Sequence, residues 1–108
     1  IDDPREAIRH HVTKTIEIIQ KRKTFWRLLH AIRLQGMVIK AVDDQFHEIT
    51  RTVTGIFEKV FKKLEYPNPK LEAILFLTQI DGLVILYLQD ETTPLKKLAT
   101  QLINRYTV

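Results

Sequence analysis

The stretch from Leu71 to Leu88, LEAILFLTQIDGLVILYL, constrains the fold more than any other part of the chain. Projected on a helix at about 100° per residue, it is apolar nearly all the way round. One side carries Ala73, Phe76, Leu77, Ile80, Leu83, Val84 and Tyr87. The other carries Leu71, Leu75, Ile85 and Leu86 around the small residues Thr78 and Gly82. A helix that is apolar on both sides must be covered on both. In a chain of 108 residues the first side can take the domain's own core, and the second calls for a partner. A second copy of the chain is the simplest partner. Three other readings compete. A membrane span needs about 20 apolar residues, but Glu72, Thr78, Gln79 and Asp81 make lipid a poor host. Asp81-Gly82 between apolar runs is a hairpin signal. A single-chain bundle would bury the helix at its centre. The helix outweighs the hairpin, because every other segment reads as helix and two lone strands would be orphaned.

The length fits one domain spanning residues 1–108, and 44% apolar residues argue against disorder. There is no cysteine, hence no disulfide framework and no thiolate metal site, which suits a reducing, cytoplasmic setting. The opening IDDPREA has neither the basic start nor the apolar run of a signal peptide. Without an initiator methionine, the chain is expected to be a piece of a longer one. The net charge of +4 is mild. Its basic residues gather near helix ends, at Lys21–Lys23, Lys59/Lys62/Lys63 and Lys96-Lys97, where cations are favoured. They read first as solvated ends and only weakly as a nucleic-acid surface.

Prolines punctuate the chain. Pro4, Pro69 and Pro94 each suit the first turn of a helix. Asp3-Pro4-Arg5-Glu6 reads as a capping box before a stripe of Ile8, Val12, Thr15, Ile16 and Ile19. Thr24 is placed to cap a second helix with Phe25, Leu28, Leu29 and Ile32 inward and Gly36 as its stop. After a loop around residues 37–40, Val42, Phe46, Ile49, Val53, Ile56, Phe57, Val60 and Leu64 recur at steps of three and four. That predicts a helix of about 34 Å. Asn68 is expected to cap the Leu71–Leu88 helix, and Thr93 the last one, whose stripe is Leu95, Leu98, Ala99, Leu102 and Tyr106. The prediction is an all-α five-helix bundle without repeats.

Catalytic and metal motifs are sparse. Of the four histidines, His10 and His11 are adjacent and point to different sides of a helix. Asp44 and His47 have the carboxylate-x-x-His spacing of di-iron bundles, but such sites need that element twice. An exposed acid and imidazole is the better reading, so no metal or cofactor is expected. The chain has no serine, and Gly36, Gly55 and Gly82 are too scattered for a phosphate loop. An enzyme is not expected. The aromatic set is more informative: Phe25, Trp26, His30, Phe46, Phe57, Tyr66, Phe76 and Tyr87 fall on four helices or their ends. Such residues can line a pocket between bundle helices, although at helical spacing they more often fill a core. Trp26, His30 and Gln79 are the polar groups placed to orient a ligand.

The run Thr78-Gln79-Ile80-Asp81-Gly82-Leu83-Val84-Ile85-Leu86-Tyr87-Leu88, followed by a proline-started amphipathic helix, resembles the end of a tetracycline-repressor (TetR) family regulator. The opening Asp-Pro, the Phe25-Trp26-Arg27-Leu28-Leu29 helix, a loop and a long helix resemble the rest of that family's C-terminal domain. The resemblance covers essentially the whole chain. It implies an effector-binding domain whose last two helices form a four-helix bundle across a homodimer axis, with DNA bound only by a separate N-terminal domain. It implies a small, mostly apolar effector whose binding favours one arrangement of the two subunits. On this reading the pocket residues are Phe25, Trp26, Leu29, His30, Phe57 and Tyr87. The dimer residues are Leu75, Thr78, Gly82, Ile85, Leu98 and Leu102. The family's helix-turn-helix signature is nowhere in the chain, so these residues alone are not expected to read DNA. The alternative is a helical interaction module without a ligand, whose apolar helix docks another protein.

Overall fold

The computed structural model describes residues 2–34 and 40–107. Those residues form five helices and no strand: α1 (Pro4–Lys21), α2 (Lys23–Leu34), α3 (Lys40–Lys63), α4 (Pro69–Gln89) and α5 (Leu95–Thr107). Asp81-Gly82 lies inside α4, so the hairpin is excluded.

Local chemistry sets most boundaries. Asp3 caps α1 by accepting the Arg5 N–H at 2.9 Å. The other half of the capping box is replaced, because Glu6 pairs with Arg9. Thr24 does not cap α2, which starts at Lys23 directly after the Arg22 break. The Gly36 stop and most of the loop around residues 37–40 lie outside the described residues, and Lys40 already belongs to α3.

α3 ends in a Schellman turn. Tyr66 N–H donates to Phe61 O and Glu65 N–H to Lys62 O, with Glu65 at φ 64° where glycine is usual. The apolar contact that accompanies this motif is the Phe61–Tyr66 ring pair, 5.0 Å between centroids. Asn68 then caps α4, accepting the Leu71 N–H at 3.4 Å. Thr93 does not cap α5; its hydroxyl donates back to Leu86 O at the end of α4. Asp90 accepts both the N–H and the hydroxyl of Thr92, which holds its carboxyl below the usual range and closes this turn.

α3 and α4 form the most extensive pairing, α1 lies along α5, and α2 packs on α4 and α1. The core is where Ile8, Val12, Ile16 and Ile19 of α1 meet Phe57, Val60 and Phe61 of α3. Ala73, Phe76, Ile80 and Tyr87 of α4 join them, with Leu95, Ala99 and Leu102 of α5. Each large side chain so buried contributes about 1.5–3 kcal/mol from removal of apolar surface.

The molecule is a slab of 40 × 32 × 21 Å. A thickness of 21 Å is about two helix diameters. Two layers cover one side of α4 and leave the other bare. Leu71, Leu75 and Leu86 are 56%, 56% and 52% exposed, and Thr78 and Gly82 share that face.

Two expected stripes need correction. On α2, Leu29 and Ile32 are half-buried as expected, but Phe25 and Leu28 face outward, and Trp26 and His30 are half-buried in their place. On α3, Ile49 and Ile56 are exposed, whereas Phe61, absent from the expected stripe, is fully buried. Ile49 and Ile56 sit about 80–100° round the helix from Phe57, at the edge of the covered sector.

Candidate ligand cavity and self-association face

Two hollows flank α4. The first, about 500 Å³, lies between α1, α2, α3 and α4. Its walls are Thr15, Ile18 and Ile19 from α1, Trp26, Leu29 and His30 from α2, Phe46 and Ile49 from α3, and Asp81, Val84, Ile85 and Leu88 from α4. It exists because α2 and α3, though both turned toward it, do not pack against each other among the described residues. The lining is mainly aliphatic and aromatic, with Thr15, His30 and Asp81 as its polar members. That suits a small, mostly apolar molecule.

Of the six residues singled out for the pocket, Trp26, Leu29 and His30 line this cavity. Phe25 does not: it is 44% exposed, edge-on to Trp26, with the Arg22 guanidinium 4.6 Å over its ring. Phe57 and Tyr87 are buried core residues away from the cavity wall. Phe57 packs on His11 at 4.8 Å and Phe76 at 5.0 Å. Gln79 is also elsewhere, donating to Tyr106 Oη at 2.9 Å and to Leu75 O at 3.2 Å. Trp26 contributes its ring rather than its donor. Its Nε1–H is sealed from solvent and finds no acceptor among the described residues, an arrangement that costs about 1–3 kcal/mol.

The remaining wall residues, Thr15, Ile18, Ile19, Phe46, Ile49, Asp81, Val84, Ile85 and Leu88, were not among the six. The available signal for Ile18 is an apolar residue off the main stripe of its helix, whereas Ile49 belongs to the expected α3 stripe and Phe46 to the aromatic set.

α2 is held over the cavity by a polar clamp. Arg27 Nε donates to Leu88 O at 2.8 Å, supplying a partner to a carbonyl of the last turn of α4. Glu91 accepts from Arg27 at 2.6 Å and from Lys23 at 2.9 Å. The hydrogen bonds from Arg27 and Lys23 hold the Glu91 carboxyl below its ordinary value, and Glu91 in turn raises Lys23.

The second hollow is an apolar groove of about 520 Å³ between α4 and α5. Gly82, Leu83, Ile85 and Leu86 form one bank and Leu98 and Leu102 the other, with Gln79, Gln101 and Arg105 at its edges. Four of the residues singled out for the dimer, Gly82, Ile85, Leu98 and Leu102, line it, while Leu75 and Thr78 continue the same exposed face along α4. A Cβ added at Gly82 would meet nothing within 4 Å. Glycine inside a helix costs about 1 kcal/mol relative to alanine. Among the described residues no close contact at Gly82 repays that cost, and Gly55 on α3 is equally open.

The metal spacing leads elsewhere. Asp44 pairs with Lys40 at 3.4 Å and His47 lies 3.7 Å from Asp43. No group of three metal-binding side chains occurs among the described residues. By length and composition α4 is apolar enough to cross a membrane. Comparison with known protein families, with characterised proteins and with solved structures finds no match to this chain.

Proposed function

We propose that the chain is the effector-binding and dimerisation domain of a TetR-like transcriptional regulator. It takes a small, mostly apolar effector in the α1–α4 cavity and pairs with a second copy across α4 and α5. DNA reading would belong to a separate helix-turn-helix domain. The observation that carries this reading is the division of α4. One flank lines a cavity, and the adjoining face is apolar, exposed and centred on Gly82, where an added Cβ would meet nothing within 4 Å. Close approach of a second helix is the physical use of small residues at such a centre. Asp81, exposed midway along α4 on its cavity flank, makes a membrane span the poorer use of this helix.

Light scattering on the wild type and on Gly82→Leu tests it. The wild type is expected at twice the 12.7 kDa chain mass. The added side chain enters open space in the monomer, so helix stability should rise by up to about 1 kcal/mol while the dimer weakens at least tenfold. A wild type that stays at 12.7 kDa at high concentration removes the dimer. An unchanged dimer in Gly82→Leu assigns pairing to another face. Sequence upstream of the Ile1 codon tests the regulator assignment. A helix-turn-helix there supports it, and a start codon within a few residues overturns it.

A docking module without a ligand is favoured by one observation, the second apolar patch of Phe25 and Leu28 on α2. A partner protein covering both patches would raise the melting temperature where small apolar molecules do not.

A further inference from the structure

The α1–α4 cavity does not end at its apolar walls. His30 of α2 and Leu88 of α4 line it, and the same two residues line a second hollow, a polar cleft of about 640 Å³. Arg27, Gln89 and Glu91 supply the polar side chains of that cleft. The two hollows adjoin across one imidazole and one leucine, mainly apolar within and charged without. A molecule that fills both has an apolar body and a polar head.

The sign of that head follows from how the charges are spent. Neither carboxylate oxygen of Glu91 is idle: Oε1 accepts from Arg27 at 2.6 Å and Oε2 from Lys23 at 2.9 Å. Two cations against one carboxylate leave this cluster net positive. Asp90, next in the chain, is turned to Thr92. Arg27 spends Nε on Leu88 O and one Nη2 donor on Glu91. Both donors of Nη1 and one of Nη2 are left for another acceptor, in the parallel fork that matches a carboxylate. The His30 ring, half-buried between the hollows, makes no hydrogen bond or ion pair among the described residues. The last carbonyls of α4 disfavour an anion, but Leu88 O is covered by Arg27 and Leu86 O by Asp90 N–H and Thr93. Asp81, the acidic member of the cavity wall, is already engaged and stands two turns before Leu88 along α4. That is about 10 Å, the reach of an extended acyl chain of about eight carbons.

We propose that the ligand of this chain is a medium-chain carboxylic acid, with its tail in the α1–α4 cavity and its carboxylate in the adjoining cleft on Arg27 and His30. This rests on the cavity reading above and adds to it a head-group site and a ligand class.

Trp26 is the only tryptophan in the chain and stands in the cavity wall. N-phenyl-1-naphthylamine, a neutral apolar dye that absorbs where indole emits, reports on the cavity by energy transfer from Trp26. Octanoate, 1-octanol and octylammonium are then to compete with the dye at about pH 7.5, where the acid and the amine are both charged. They share one tail and differ in the head. Without a head-group site 1-octanol binds best, because it has no charge to desolvate. The Arg27 side chain is 47% exposed, so solvent screens the pair, and octanoate is expected to displace the dye at about fivefold lower concentration than 1-octanol. In Arg27→Met, which keeps an apolar stem, that preference should vanish. The ratio of the two competitors cancels any change in the cavity itself, and a melting curve shows whether the variant is folded.

An equal or stronger 1-octanol overturns the head-group site and leaves the cavity reading standing. Octylammonium as the strongest competitor overturns it in favour of a cation. A preference for octanoate that persists in Arg27→Met overturns the assignment to Arg27. No energy transfer from Trp26 at any dye concentration removes the cavity reading and the head-group site together.

Discussion

The two ends of this bundle use similar side chains to opposite effect. At one end Phe57, Phe61, Phe76, Tyr66 and Tyr106 interlock, with centroids 5.0 to 6.2 Å apart, and His11 closes the set against Phe57. At the other, Trp26, His30 and Phe46 stand round a cavity. Ring content therefore does not decide between core and pocket. The spacing of the helices does. Where α1, α3, α4 and α5 converge, rings pack edge to face and gain about 0.5–1.5 kcal/mol per pair beyond burial. Where α2 stands away from α3, the same kinds of residue face each other across a gap.

Truncation tests this contrast most directly. Phe76→Ala, at a site with 0% exposure and four ring neighbours, is expected to lose about 3–5 kcal/mol in urea denaturation. Leu29→Ala enlarges a hollow that is already open and should lose no more than about 2 kcal/mol, chiefly the transfer term. Equal losses would mean that the cavity end is packed as tightly as the ring cluster.

The clamp on α2 should matter locally. Glu91→Gln is expected to speed hydrogen exchange of α2 amides a few-fold, while the amides of α3 and α4 stay unchanged. Acid should do the same to the wild type. The Glu91 carboxyl, held below its ordinary 4.5, contributes stability above that value and loses it as pH falls through the folded one. Lys23, held above its ordinary 10.5, contributes below that value and loses it as pH rises through the folded one. The clamp is thus fully engaged between those two ordinary values. Exchange in α2 that ignores Glu91 would show that packing by Trp26 and Leu29 is enough to hold it.

The smallest expected effect comes from the ring-packed end. Burial, and secondarily the neighbouring His10, lowers the His11 pKa from its ordinary 6.5. The unfolded chain then binds a proton that the folded one resists, so stability falls as pH drops from 6.5 through the folded value. In His11→Phe the difference between denaturation at pH 7.5 and at pH 5.5 should shrink. An undiminished difference assigns that pH dependence to other groups.

Much of the site was legible residue by residue. The two sides of α4 could be read in part from its periodicity: Leu71, Leu75, Thr78, Gly82 and Leu86 are exposed, but Ile85 of that side is half-buried and Ile74, on neither side, is exposed. α2 was harder, because a short helix with Phe25, Trp26, Leu28, Leu29 and Ile32 offers two overlapping apolar stripes. Leu29 belongs to both, and nothing local ranks one over the other. On α3, steps of three and four keep the expected stripe centred near Val42 and Val60, with Ile49 and Ile56 to one side, while Phe61 lies about 100° round the helix on the other and so falls outside it.

The sequence by itself determined the five helices, their proline and asparagine punctuation and the double-sided character of α4. Those depend on interactions within a few residues along the chain. Only the tertiary structure decided that Phe57 and Tyr87 fill the core, that Trp26, Leu29 and His30 bound a hollow, and that Ile85 serves two hollows at once. Each of those outcomes depends on the distance between helices remote in sequence. That distance follows from the summed packing of all five helices rather than from any one periodicity.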